Sequence, residues 1–184
     1  MSGKCFGIYY TFNDTNKYLT NLSKFNYFVR DKISTFMVAG AKELLDRSPD
    51  DSIFDLEVEI DELGKSAFTP YVVGTKNSMG SCIIFTFEER PHNHLIILSK
   101  FILYKGMKET IKENFEYISS ELKCKEIQNE LDNVKDIMVN NINLLLQRGE
   151  KLDDLIEKTE HLTIESKKFY KQSKKLNKRC CFFF

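Results

Sequence analysis

A long apolar seam near the C-terminus constrains this chain more than any other feature of its sequence. Counting outward from Arg148 in alternating steps of three and four residues gives the a and d positions of about seven heptads. These seam positions are Cys124, Ile127, Leu131, Val134, Met138, Asn141, Leu145, Arg148, Leu152, Leu155, Thr159, Leu162, Ser166, Phe169, Ser173 and Leu176. The spacing predicts a helix that packs against other helices in a coiled coil.

The centre of the seam holds a full positive charge, Arg148. A buried cation costs several kcal/mol unless acceptors surround it, and one polar seam residue fixes the register of a bundle. Gly149, beside it, costs about 1 kcal/mol in a helix interior. The sequence therefore predicts a segment that becomes helical on binding partners, whose side-chain oxygens meet Arg148.

Three stretches of this region match one known family. Gln147 to Leu155 reads QRGEKLDDL, Ser166 to Lys171 reads SKKFYK, and Cys180 and Cys181 form a pair near the end. With these motifs the chain resembles the lipid-anchored (prenylated) longin-type R-SNAREs of the synaptobrevin superfamily.

The resemblance implies a four-helix bundle with three helices of glutamine-SNARE proteins. Arg148 would form the ionic layer, contacting glutamines of the partners. The apolar layers implied are Ile127, Leu131, Val134, Met138, Leu145, Leu152, Leu155, Leu162, Phe169 and Leu176.

The last residues favour attachment to a membrane by lipids. Cys181 is the fourth residue from the end, as a C-a-a-X box requires, and Cys180 beside it is the expected palmitoylation site. A terminal Phe favours geranylgeranyl over farnesyl, although the aromatic middle positions leave the prenyl group open. From Lys167 to Arg179 all charged residues are basic, which favours contact of this basic tail with an anionic membrane surface. The other interpretation of the end is an unmodified tail.

The N-terminal two thirds show the alternation and periodicity of a mixed fold. Strands are predicted at about 5–12, 17–22, 53–60, 68–75 and 81–87, and helices at 30–46, from the Pro91-His92-Asn93 opening to Gly106, and at 107–122. This order predicts an α+β fold with a five-stranded antiparallel sheet and flanking helices. It is similar to a longin (profilin-like) domain.

The predicted domain limits are 1–120 for the longin domain, 121–178 for the coiled-coil SNARE segment and 179–184 for the lipidation tail. The resemblance implies an apolar groove at Phe36 and Met37 in which the longin domain holds its own SNARE segment. Ala39 stands where the family tends to carry a further aromatic side chain.

Several other classes of function lack their signatures. The sequence has no glycine-rich phosphate loop and no nucleophile beside a recognisable base. Cys5, Cys82 and Cys124 have neither metal-ligand nor disulfide spacing, and we expect them to be reduced and buried. The formal net charge is zero, which gives no case for nucleic-acid binding.

We therefore expect no enzyme, no cofactor, no metal, no nucleic acid and no small-molecule substrate. We also expect no secretory leader and no membrane-spanning helix.

The predicted function is that of an R-SNARE that drives vesicle-membrane fusion in ER-Golgi or endosomal-vacuolar traffic. The protein would lie in the cytosol and on the cytosolic face of Golgi, vesicle and endosomal or vacuolar membranes. Two alternatives remain: a lipidated longin adaptor that is not fusogenic, and a prenylated signalling enzyme. An adaptor would not need Arg148 in its seam, and the enzyme lacks a nucleotide loop.

Overall fold

The computed structural model describes residues 6–13, 15–50, 52–56, 71–87, 92–108, 110–132, 158–160, 162–168 and 171. In chain order its elements are strands β1 (Phe6–Phe12) and β2 (Thr15–Asn21), helix α1 (Tyr27–Arg47), strands β3 (Ser52–Leu56), β4 (Tyr71–Asn77) and β5 (Gly80–Thr86), and helices α2 (His92–Lys105), α3 (Thr110–Ile118) and α4 (Glu121–Asp132).

All five strands form one antiparallel sheet in the order β2-β1-β5-β4-β3. The sheet and its flanking helices confirm the predicted α+β fold. The β4–β5 hairpin turns where the Asn77 side chain accepts hydrogen bonds from the backbone N–H groups of Met79 (2.9 Å) and Gly80 (3.1 Å). Gly80 lies so close to β1 that an added Cβ would sit 2.1 Å from the carbonyl oxygen of Thr11. The turn therefore needs glycine at this position.

Alternate side chains of the strands build two cores, one on each face of the sheet. On the first face, α1 packs over the sheet in a cluster that we call the α1 core: Tyr9, Leu22, Ile33, Phe36, Met37, Ala39, Ala41, Leu44, Val72, Ile83, Phe85 and Leu162. On the second face, α2 and α3 complete the α2 core: Phe6, Ile8, Tyr10, Val73, Cys82, Ile84, Leu95, Leu98, Ile102, Leu103, Ile111 and Phe115. The domain is thus three layers, with the sheet in the middle.

Helix α1 begins three residues before the predicted start at Arg30. The side chain of Asn26 accepts a hydrogen bond from the backbone N–H of Phe28 at 3.1 Å and caps the helix. The apolar stripe used for the prediction starts one turn later than this cap. At the other end the backbone N–H of Ser48 donates to the carbonyl of Leu44, which closes the last turn.

The prediction of one helix over 107–122 is wrong. Gly106 ends α2 as predicted, with φ 81° and its N–H 2.8 Å from the carbonyl of Ile102. The next residues form two helices, α3 and α4, separated at Ser119 and Ser120. The buried Ser119 hydroxyl donates to the carbonyl of Phe115 at 2.7 Å, satisfying a helix-end carbonyl. This break lets α4 start in a new direction.

Candidate functional site

The side chains of five predicted seam positions are described, and the structure buries four of them. Their exposed fractions are 2% for Cys124, 0% for Ile127, 1% for Thr159 and 6% for Leu162, and Ser166 is half-buried. Apolar neighbours outside the seam are exposed instead: Leu122 is 77% exposed and Ile164 is 73% exposed. Seam position, and not hydrophobicity alone, therefore decides which side chains of this segment are buried in the unpartnered chain.

In the C-terminal half of the seam, the structure places Leu162 on the α1 side of the sheet. Leu162 belongs to the α1 core together with Phe36 and Met37, both of which are at most 4% exposed. Met37 is held over the sheet, since its sulfur accepts a hydrogen bond from the Tyr18 hydroxyl at 3.4 Å. Burial raises the pKa of the Tyr18 phenol, so it stays a neutral donor. The predicted groove residues and a predicted seam residue thus share one apolar cluster.

Two small residues, Ala39 and Gly40, lie in the buried part of α1. Ala39 is 3% exposed and belongs to the α1 core, where the resemblance led us to expect a larger aromatic. Gly40 follows it, and a Cβ built at this residue would meet no atom of the described residues within 4 Å. Gly40 is itself buried, so α1 is covered at this position.

The N-terminal part of the seam lies against α2, which packs on the other face of the sheet. The Cys124 sulfur is 3.7 Å from the carbonyl oxygen of His94 in α2. Further along, Lys105 of α2 and Glu130 of α4 approach to 3.5 Å, so the two helices run in the same direction. That ion pair is half exposed and adds little stability. Burial of Cys124 and Ile127 is the main contribution.

The Cys124 thiol is chemically quiet in this position. Burial raises its pKa from 9.0 to about 11, because the thiolate would lose its hydration. Cys82, in the α2 core, is fully buried and its pKa is raised for the same reason. Both thiols are free, which confirms the expectation of reduced, buried cysteines for these two. Cys5 lies outside the described residues.

The outer face of α4 is polar and solvated. Glu121 and Lys125 pair at 3.0 Å, and Lys123 and Glu126 pair at 2.7 Å. The bond to Lys125 lowers the pKa of the Glu121 carboxyl. Such pairs one helical turn apart support the helix without fixing its partner. The opposite, buried face of α4, which carries Cys124 and Ile127, is the face that packs against α2.

The described part of the segment around Leu162 is not one continuous helix. Residues 159, 160, 162 and 163 are not helical, and a helical turn follows at 164–168. The Thr163 hydroxyl starts this turn by accepting a hydrogen bond from the backbone N–H of Ser166 at 3.2 Å. The expectation that the whole segment becomes one helix with its partners stays a prediction.

Most of the remaining predicted site residues lie outside the described residues. Leu131 is in α4, but its side chain is not described. The others are Val134, Met138, Leu145, Arg148, Leu152, Leu155, Phe169, Leu176, Cys180 and Cys181. Their roles in the seam, the ionic layer and lipidation stay predictions.

Docking of the seam on α2 was not predicted from the sequence. A signal for it was present, because apolar residues surround α2 on most sides. Leu95, Leu98 and Ile102 point into the α2 core, and Ile96 and Phe101 pack at its edge. One helix against one sheet cannot cover such a surface, so a further helix was needed.

The described ranges contain no candidate metal centre. None of their residues form a group of three or more His, Cys, Asp and Glu side chains able to hold a metal ion.

Within the same ranges, no helix combines the length and the apolar character that crossing a membrane requires.

Comparison with known proteins identifies the family. The Synaptobrevin family profile matches residues 123–182, the region of the seam and the basic tail. The chain is 31% identical over 183 aligned residues to "Synaptobrevin homolog YKT6" of Debaryomyces hansenii, covering 88% of this chain and 87% of that protein. It is 29% identical to "VAMP-like protein YKT61" of Arabidopsis thaliana, covering 88% and 86%.

The likeness is strongest in the seam region. "Synaptobrevin homolog YKT6" of Saccharomyces cerevisiae is 54% identical over 56 residues, which cover 30% of this chain and 28% of that protein. Proteins of this kind are SNAREs of vesicle trafficking and are not enzymes. The three-layer domain, the buried seam and the match over nearly the whole length agree, and the chain therefore belongs to the YKT6 family, the longin R-SNAREs of the synaptobrevin superfamily.

Proposed function

We propose that this SNARE contributes one helix to a four-helix bundle with three glutamine-SNARE helices, and that bundle formation draws two membranes together. The seam supplies the apolar layers, and burying it against three helices provides the free energy. Arg148 forms the ionic layer with partner glutamines and sets the register. Assembly proceeds from the Cys124 end towards Leu176, so that the last layers to form lie next to the membrane-attached tail and pull on it.

The observation that best supports this proposal is the contrast in burial along the segment. Seam residues Ile127 and Leu162 are buried, while Leu122 and Ile164, equally apolar, are exposed. A chain that needed only its own fold would gain by burying all four. The contrast indicates that one face of the segment is reserved for a partner and is covered by the domain meanwhile.

We propose further that this covering delays bundle formation. Each seam side chain docked on the domain must leave it before it can enter a bundle layer. Cys124 and Ile127, at the end where assembly starts, lie against α2, and Leu162 lies in the α1 core. The domain at 1–120 would inhibit the segment at 121–178 by covering it, with α1 residues Phe36 and Met37 in the groove.

For membrane attachment we propose a prenyl group on Cys181 and a palmitoyl group on Cys180. One chain alone anchors only transiently, because each buried methylene contributes about 0.8 kcal/mol and dissociation stays fast. The second chain and the basic tail then make attachment lasting, and partly sensitive to salt. Cys180→Ser should leave a protein that is prenylated but cycles between cytosol and membrane, measured by fractionation and mass spectrometry.

We place this activity on the cytosolic face of Golgi, vesicle and endosomal or vacuolar membranes, in ER-Golgi or endosomal-vacuolar traffic. The support is the family membership and the lipidation signature. Fluorescence microscopy of the tagged full chain beside compartment markers tests the placement. Accumulation on the plasma membrane alone would exclude it.

The bundle is tested by exchanging the central charge. Arg148→Gln should lower the melting temperature of the assembled bundle, because buried partner amides lose their cation, at a cost of about 1–3 kcal/mol. Combining Arg148→Gln with a Gln→Arg change in one partner should restore it, since the layer again holds one arginine. Circular dichroism of the four purified segments measures both melts.

Lys168→Gln is the matched control, because it removes one positive charge at an exposed position outside the seam. Its melt should equal that of the unchanged chain. If Arg148→Gln melts like Lys168→Gln, the ionic layer does not exist and the adaptor alternative gains support. A pull-down from detergent extract with residues 124–179 then shows which partners bind.

A further inference from the structure

Two adjacent aromatic side chains project from the start of α1. Tyr27 is 76% exposed and Phe28 is 85% exposed, and Phe28 has the highest value of the large apolar side chains described. Their ring centroids are 5.9 Å apart in an edge-to-face arrangement. Two neighbouring aromatics held in water need an explanation, since exposed apolar groups favour any apolar surface they meet.

The backbone beneath these rings is fixed in place. Arg30 donates hydrogen bonds to the carbonyl oxygens of Phe25 (2.9 Å) and Ser23 (2.8 Å), which ties the turn before α1 to the helix. Phe25 in turn packs edge-to-face against Phe87 at 4.9 Å. Together with the Asn26 cap, these contacts hold the backbone that carries the two rings. Binding of the rings therefore costs little conformational entropy.

The sequence on either side of the rings is basic. Residues 23–32 contain Lys24, Arg30 and Lys32 against a single acid, Asp31. Lys24 and Lys32 are both exposed. A second exposed apolar region differs in charge: residues 113–122, which include Tyr117 and Leu122, contain three glutamates and no Lys or Arg.

We propose that Tyr27 and Phe28, flanked by Lys24 and Lys32, form a tip that inserts into the surface of an anionic lipid bilayer. Tyrosine prefers the headgroup region of bilayers, and exposed apolar rings gain by entering the boundary with the acyl chains. Lysines beside them are attracted to anionic headgroups. The N-terminal domain would thereby touch the membrane through α1, with a fixed orientation.

The size of the tip favours a bilayer over a protein partner. Stable protein interfaces bury about 800 Å² on each side. Two aromatic side chains supply roughly 150–250 Å² each, which falls well short of that. A bilayer sets no such minimum, because binding increases with each apolar group that enters it and with each nearby cation.

The absence of tryptophan from the chain makes a direct test possible. Phe28→Trp, in the full chain without lipids, places one fluorophore in the tip, and Leu122→Trp places one in the acidic region as the matched control. Both are mixed with phosphatidylcholine vesicles, with and without phosphatidylserine, and with brominated lipids as quenchers. The emission of the Phe28→Trp variant should shift to the blue and be quenched on vesicles with phosphatidylserine, whereas that of the Leu122→Trp variant should do neither.

Vesicle partitioning of substituted chains gives the second measurement. Tyr27→Ser with Phe28→Ser should reduce binding about tenfold, and Lys24→Gln with Lys32→Gln should reduce it about tenfold on anionic vesicles only. Tyr117→Ser with Leu122→Ser should leave it unchanged. The basic tail is the same in all these chains, so its contribution to vesicle binding does not change the ratio between them.

Three results would overturn the proposal. One is an indole in the Phe28→Trp variant that stays in water while the chain is bound to vesicles. Another is equal partitioning of the Tyr27/Phe28 and Tyr117/Leu122 double variants. The third is a blue shift without vesicles that grows with protein concentration, which would assign the tip to contact between copies. No partner SNARE is present in these tests, so their outcome is separate from that of the bundle.

Discussion

Replacing Leu162 by alanine tests how strongly the domain holds the seam. The change removes the equivalent of three buried methylene groups at about 0.8 kcal/mol each, or about 2.4 kcal/mol in total. Since Leu162 is 6% exposed in the α1 core, nearly all of this free energy belongs to the docked state. At about 1.4 kcal/mol per factor of ten, the equilibrium between docked and released segment should move about fiftyfold towards release.

Hydrogen exchange at one amide reports this equilibrium. The backbone N–H of Lys167 donates to the carbonyl of Thr163 at 3.0 Å in the helical turn at 164–168. A helix of this segment is unstable by itself, and the bond protects the amide only while the segment is docked. Leu162→Ala should therefore raise the exchange rate of Lys167 about fiftyfold, as measured by NMR.

Ile164→Ala is the control, because it shortens a neighbouring aliphatic side chain that is 73% exposed. Its effect on the exchange of Lys167 should stay within about 0.5 kcal/mol, or roughly twofold. Equal rates for Leu162→Ala and Ile164→Ala would refute the reasoning. In that case the contact of Leu162 with the α1 core does not hold the segment on the domain.

Other parts of the molecule give further predictions. Gly40→Ala should raise the melting temperature by about 2–4 °C, because alanine favours helix by about 1 kcal/mol and its Cβ would meet no atom of the described residues. Gly80→Ala should lower stability by about 3 kcal/mol, since the β1 backbone blocks its Cβ. Alkylation of Cys124 at about pH 8, followed by mass spectrometry, should be about a hundredfold slower than for a thiol of pKa 9, and Ile127→Ala should accelerate it by loosening α4. Cys181→Ser should leave the chain in the soluble fraction with no acyl group on the neighbouring cysteine; membrane pelleting of this variant would contradict the proposed anchor.

The sheet was predictable because its central strands read as short apolar runs bounded by turn residues. Cys82 and Ile84 point to the α2 core, while Ile83 and Phe85 point to the α1 core. A strand buried on both faces reads as a continuous apolar run, and the turn before it at Gly80 marks its start.

Two boundaries were missed because local hydrogen bonds decide them. The Asn26 cap starts α1 before its apolar stripe begins, and the Ser119 hydroxyl ends α3 inside a stretch that reads as helix. Periodicity averages over about 11–18 residues and does not detect either contact.

The seam was predictable as a pattern, but its place in the unpartnered chain was not. Heptad spacing states which side chains of a segment must be buried together. It does not state whether three partner helices or the chain's own domain will bury them. Leu162 satisfies the pattern equally well in the α1 core, and only the geometry of α1 shows that this site exists.

The presence of Leu162 in the α1 core makes the domain and the bundle competitors for one side chain. By thermodynamic linkage, docking of the segment on the domain makes bundle formation less favourable by a certain free energy. Bundle formation then lowers the stability of the domain by the same free energy. The melting temperature of the N-terminal domain should thus fall when the partners engage the segment. A small molecule that filled the place of Leu162 would behave as an activator of assembly, although it would never touch the bundle.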